Sequence, residues 1–162
     1  MSRKLSRIAM MKILFAMQHR DEFTDDVMES FFESEWDESE LENIYRYVFS
    51  GKALEKRLDN PSPRPLSAED VAYCREHIRE FLQHRDEIDG LIEDNLRDWT
   101  LDHLAGVDAS ILRLAVYEFL YCPDIAPAIS VDEAVNLAKM FSTKDSARFI
   151  NGILGYILRN QS

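Results

Sequence analysis

Glycine is scarce in this 162-residue chain, and its five copies are too scattered to build a phosphate-cradling loop. There is no GxxxxGK followed by Ser or Thr, no GxGxxG after a strand and no GxSxG, which excludes nucleotide-binding loops and nucleophile elbows. The two cysteines, Cys74 and Cys122, are too few for a disulfide framework and point to a reduced cytoplasmic setting. No apolar stretch approaches the roughly 20 residues that a bilayer-spanning helix needs, so no membrane partner is expected. The run from Ile8 to Met17 imitates a signal peptide only superficially, because Lys12 interrupts it and no small-residue cleavage site follows. Alternating strand patterns and hairpin turn pairs are missing too, which leaves helix.

Basic residues are also in short supply: 19 Lys and Arg stand against 30 Asp and Glu, for a net charge of -11. Phosphate attraction is the main source of nonspecific affinity for nucleic acid, so the total argues against such a partner. The distribution is uneven. Residues 21 to 42 hold eleven acids and no base, whereas residues 1 to 12 hold Arg3, Lys4, Arg7 and Lys12 and no acid. The N-terminus is therefore a local positive patch on which a polyanion could dock.

Helical periodicity runs through almost the whole chain. A first helix at about 3–20 carries Leu5, Ile8, Met11 and Phe15, and a second at about 24–34 carries Val27, Met28, Phe31 and Phe32. A third, about 38–58, shows Leu41, Ile44, Tyr45, Val48 and Phe49 before a loop forced by Pro61, Pro63 and Pro65. Ser67 is placed to cap a helix reaching about His84, and Ile88, Leu91, Ile92 and Leu96 continue the pattern. Asp108 reads as the N-cap of a helix from Ala109 to Leu120, buried through Ile111, Leu112, Ala115 and Phe119. Ser130 and Glu133 have capping-box spacing for the next helix. The last, about 146–159, buries Phe149 or Ile150, then Ile153, Leu154 and Ile157. The length suits one compact domain or two small subdomains sharing a core.

Catalytic chemistry finds little purchase. Cys74, His77, Glu80 or Phe81, and His84 fall near one helix face, but structural zinc sites draw ligands from two elements, and a helical Cys is more often a small core hydrophobe. His19 and His103 stand alone. The acid pairs Asp25-Asp26 and Asp37-Glu38 sit in a solvated acidic face, where nothing shifts them toward acid-base work.

The last third carries more information. Ile111-Leu112-Arg113, Tyr117-Glu118, Asp132-Glu133-Ala134, Leu137-Ala138-Lys139 and Phe149-Ile150-Asn151-Gly152 resemble the NusB family of bacterial antitermination factors. Arg3, Lys4, Arg7, Ala9, Leu14 and Phe15 look like the family's basic start, with Leu5 in place of an expected base and Phe15 in place of a Tyr. The resemblance implies an all-α helical bundle of two small helical subdomains in a single RNA-binding domain. Its N-terminal half covers about 1–100, its C-terminal half about 101–162, and residues 37–66 are an insertion with an extra helix near 38–58.

It further implies a noncatalytic adaptor without cofactor or metal. The adaptor would bind the single-stranded boxA element of ribosomal RNA leaders together with the ribosomal protein NusE, and would reach the elongating RNA polymerase indirectly. RNA-binding positions carried over are Arg3, Lys4, Arg7, Lys144, Arg148 and Phe149, with Asp145 as a modulator. Arg and Lys neutralise phosphates, and an exposed aromatic can stack on an unpaired base. Phe15, Asp102 and Asp108 are the partner-binding positions. Two other readings stand beside this one. The first is the NusB-like domain attached to ribosomal RNA methyltransferases, for which the chain lacks a catalytic half. The second is a homo-oligomer, a homodimer for instance, with weak or no RNA binding, which the acidity and the 38–58 stripe favour.

Overall fold

The buried helix α1, Lys4–Arg20, runs through the middle of the molecule with Leu5, Ile8, Ala9, Met10, Met11, Ile13, Leu14 and Met17 shielded from solvent. These positions cover more than one stripe, which a helix needs only when neighbours surround it. The computed structural model describes residues 3–97 and 99–161, and within them the fold is all-α. The other α-helices are α2 Asp25–Glu33, α3 Glu38–Val48, α4 Gly51–Asp59, α5 Ala68–Gln83, α6 Arg85–Asp94, α7 Gly106–Tyr121, α8 Pro127–Phe141 and α9 Lys144–Gln161. A 3-10 turn at Leu101–His103 leads into α7.

α7 is the second central helix, buried without interruption from Asp108 to Glu118. It lies antiparallel to α1: Arg7 meets Glu118 late in α7, whereas Gln18 meets Arg113 and Phe15 meets Gly106 earlier in it. Helices α2, α3 and α5 pack on α1, α6 packs on α7, and α8 and α9 form an antiparallel hairpin against α7. The two central helices thus join an N-terminal and a C-terminal group of helices through one core.

Caps explain several boundaries. Thr24 and Asp37 accept from backbone N–H groups in the first turns of α2 and α3. Ser67 caps α5 as expected, and Asp70 makes the cap reciprocal, with bonds of 3.0 and 3.1 Å.

Four boundaries differ from the expectation. The stretch 38–58 is two helices, because Phe49 and Ser50 are extended and Gly51 takes φ 57°. α7 starts at Gly106, so Asp108 lies in its first turn and does not cap it. α8 starts at Pro127, where proline's missing N–H costs nothing, and Ser130 is an interior residue whose hydroxyl donates to Glu118 over 2.6 Å. The last helix also begins two residues early, at Lys144, with the Thr143 hydroxyl accepting from the Ser146 N–H at 2.9 Å.

Candidate nucleic-acid interface

The hairpin of α8 and α9 encloses a groove of about 920 Å³. Its floor is apolar, with Ala147 buried and Val135 half-buried, and its walls are polar. Lys139 and Asn136 come from α8, and Lys144, Arg148 and Asn151 from α9; Asp132 is the one acid among the lining residues. The spacing explains the convergence: 132, 136 and 139 follow one stripe of α8, and 144, 148 and 151 one stripe of α9. Three cations and two amides in a groove supply phosphate neutralisation and hydrogen bonds to base edges. Local charge governs a ligand within a Debye length, about 8 Å at physiological salt, so the net acidity of the chain does not cancel this surface.

Arg148 pairs with Asp145 one turn back on α9, and both side chains are largely exposed. Such a pair is worth little in water, which leaves Arg148 available to a phosphate. Phe149, next to Arg148, is 41% exposed, while Ile150 takes the core position. The sequence had left that choice between the two open.

The N-terminal cations sit elsewhere. Arg3, Lys4 and Arg7 line a separate cleft of about 350 Å³. Arg7 is 7% exposed; its Nε donates to Glu118 at 2.9 Å and its Nη2 at 3.3 Å, so its guanidinium is an internal group and not a surface contact for RNA. Lys4 donates to Glu133 at 3.0 Å and lies near the Tyr47 hydroxyl, which itself donates to Glu133 at 2.8 Å. Burial pulls the Lys4 ammonium down, but the bonds to Glu133 and Tyr47 outweigh it and hold its pKa above the ordinary lysine value. Glu133 is pushed up by burial and pulled further down by Lys4 and Tyr47, ending below the usual glutamate value. Arg3 lies over the Tyr73 ring at 3.9 Å. The positive patch read from residues 1–12 is therefore largely consumed inside the fold.

Of the partner positions, Phe15 is 39% exposed and stacks parallel to His19, and Asp102 is exposed on the 3-10 turn. Trp99, which the sequence did not single out, is 57% exposed and meets His103 edge-on. Phe15 also touches Gly106 at the start of α7, and Trp99 and Asp102 lie on the segment that leads into that helix. Asp108 is corrected from partner contact to internal support. It is 7% exposed and accepts from Ser142 at 2.8 Å and Ser146 at 2.7 Å, fixing the α8–α9 turn and with it the mouth of the groove.

The helical Cys/His face is also accounted for. Burial pushes the Cys74 thiol up to about 12, and it donates to the Ser6 carbonyl. Tyr117 donates to Glu80 at 2.5 Å, which leaves its oxygen to accept from His77 Nδ1 at 2.6 Å. Among the described residues no three His, Cys, Asp or Glu are grouped to hold a metal ion. No described helix is long and apolar enough to cross a membrane.

Comparison with known proteins decides the family. Residues 38–159 match the NusB family. The transcription antitermination protein NusB of Carboxydothermus hydrogenoformans is 36% identical over 97% of this chain and 92% of its own length. The chain belongs to the NusB family. The NusB of Symbiobacterium thermophilum is 46% identical over 60% of the chain, a match that covers 64% of that relative, slightly under two thirds. Among solved structures, T. maritima NusB superposes with a TM-score of 0.69 at 31% identity, covering 98% of this chain and 92% of that one. A complex of the antitermination factors NusB and NusE with double-stranded RNA shares the fold, with TM-score 0.69 at 22% identity and coverage of 98% and 96%. The NusB match begins at residue 38, so α3 and α4, set apart in the sequence as an insertion, lie inside the matched span. Lys139, Asn136 and Asn151 are the groove residues that sequence reasoning missed, although Lys139 and Asn151 lie in the quoted motifs. Their helical spacing with Lys144 and Arg148 was the available signal.

Proposed function

We propose that this chain is a cytoplasmic, noncatalytic antitermination adaptor. It holds a boxA-type ribosomal RNA leader and a NusE-like ribosomal protein together, and so acts on elongating RNA polymerase indirectly. The observation that carries the reading is the α8–α9 groove, a cationic surface on an acidic chain, lined by Lys139, Lys144 and Arg148 with Asn136 and Asn151 between them. Phosphates lie along the cations, the amides meet base edges, and Phe149 offers a face on which an unpaired base stacks. The aromatic and acidic groups around Phe15, Trp99 and Asp102 form the protein-binding end, and acidity there speeds encounter with a basic ribosomal protein. Two modest contacts acting together give the affinity that neither supplies alone.

Fluorescence anisotropy with boxA RNA, with and without NusE and across a salt series, tests this. The Lys144→Gln/Arg148→Gln protein should bind more weakly at every salt concentration. Its slope of log affinity against log salt should be shallower by about 1.4, two phosphate contacts at about 0.7 each for a single strand. An unchanged slope and affinity would remove the groove from the RNA path. A second reading, self-association without RNA, predicts dimerisation and no anisotropy change even with NusE present.

A further inference from the structure

A second concave surface, of about 400 Å³, lies between α4 and the 60–65 loop. Lys56, Arg57 and Arg64 line it together with the Asn60 side chain, and no carboxylate is among its lining residues. In so acidic a chain many cations are paired: Lys4, Lys12, Arg75, Arg79, Arg85 and Arg113 all meet acids. Among the described residues the three cations of this cleft form no ion pair. Lys56 lies in the last turn of α4 and Asn60 is the residue that ends it, while Glu55 and Asp59 share another face of the helix.

Two of the cations are held in place by contacts that use no counter-charge. The Arg57 guanidinium lies over the Phe49 ring at 4.1 Å, a stacking that leaves its N–H edge for an acceptor. Arg64 donates through Nη2 to the Glu33 carbonyl at 3.0 Å, and its backbone N–H donates to the Ser62 hydroxyl. Tyr45 donates to the Ser62 carbonyl at 2.9 Å and pins the loop to α3. The cleft is thus a supported wall of positive charge with the exposed Asn60 among its lining residues. A tetrahedral oxyanion that offers several acceptor oxygens fits such a fork-and-ammonium arrangement.

We propose that this cleft is a phosphate-binding site, with Lys56, Arg57 and Arg64 neutralising the oxyanion and the Asn60 amide donating to it. The phosphate comes either from an RNA strand or from a free phosphorylated species. The site is independent of the α8–α9 groove and stands whether or not that groove binds RNA.

The test is a titration of the isotope-labelled full chain followed by NMR at the Asn60 side-chain amide and the Arg57 and Arg64 Nε–H signals. Inorganic phosphate and a single-stranded RNA oligonucleotide are added separately, against sodium chloride of equal ionic strength. Saturable shifts beyond the chloride control are expected. Lys56→Glu and Asn60→Asp should each weaken the site by about tenfold or more, the worth of one charge-assisted bond. Both positions are exposed, so thermal melting should be unchanged. In the phosphate titration, Lys144→Glu, in the other groove, should leave the shifts at these signals as they are. Shifts with RNA assign the site to a polynucleotide, and shifts with phosphate alone assign it to a small phosphate. Signals that follow chloride and neither ligand would overturn the proposal.

Discussion

Arg7 shows how much one buried side chain can alter a reading. Its carboxylate partner, Glu118, lies 111 positions away, so no local pattern reveals the pair, and from the sequence the residue looks like part of a basic tail. Ser130 completes the site by donating to the same carboxylate. Removing one member of a buried pair strands the other, so Arg7→Ala should cost about 3 to 5 kcal/mol in urea unfolding. Replacing both Arg7 and Glu118 by apolar residues of similar size should recover most of that loss; a single mutant as stable as the parent would show that the pair is not buried in solution. A loss of RNA affinity in Arg7→Ala therefore reports on folding before it reports on contact. Asp108 teaches the same lesson, because its hydroxyl partners Ser142 and Ser146 become visible only once the hairpin is closed. Phe149 and Ile150, adjacent in an apolar-period helix, could not be told apart by periodicity alone.

At the level of elements, local chemistry was legible where it was self-contained. The Ser67 cap of α5 was readable, and Asp70 answers it from three residues on. Ser130 and Glu133 have similar spacing, yet both side chains are engaged by distant groups, Glu118 in one case and Lys4 and Tyr47 in the other. The Lys4–Glu133–Tyr47 contact ties the start of α1 to α3 and α8, and its response to pH follows from the two displaced groups. Glu133 titrates lower when folded, so its contribution is complete above the unfolded value of 4.5 and is lost as pH falls through the folded one. Lys4 titrates higher when folded, so its contribution holds below 10.5 and is lost as pH climbs through the raised value. Urea unfolding of Glu133→Gln should show a flatter decline of stability in acid than the parent protein. Curves of equal steepness would mean that other carboxylates carry the acid response.

For the whole molecule, the all-helical class and the motifs of the last third were readable because they rest on periodicity and on short runs of residues. The assembly of surfaces was not. Phe15, Trp99 and Asp102 are spread over 88 positions of sequence, and only the approach of α1 to the start of α7 brings the first toward the others. If that end receives the ribosomal protein, Phe15→Ala and Trp99→Ala should each cost about 1 to 2 kcal/mol in NusE binding by calorimetry, as exposed aromatic anchors do, with RNA affinity alone unaffected. Equal NusE affinity in both variants would move the protein contact to another face. The central place of α1 also bears on how the chain is made. α1 leaves the ribosome well before α7, with apolar residues around most of its circumference, yet α7, the helix that shields much of it, begins only at Gly106. At about 5 to 20 residues per second of synthesis, the nascent helix waits roughly 4 to 17 seconds for that cover. During those seconds it is a substrate for chaperones, and substitutions that leave the finished protein untouched can still lower its yield.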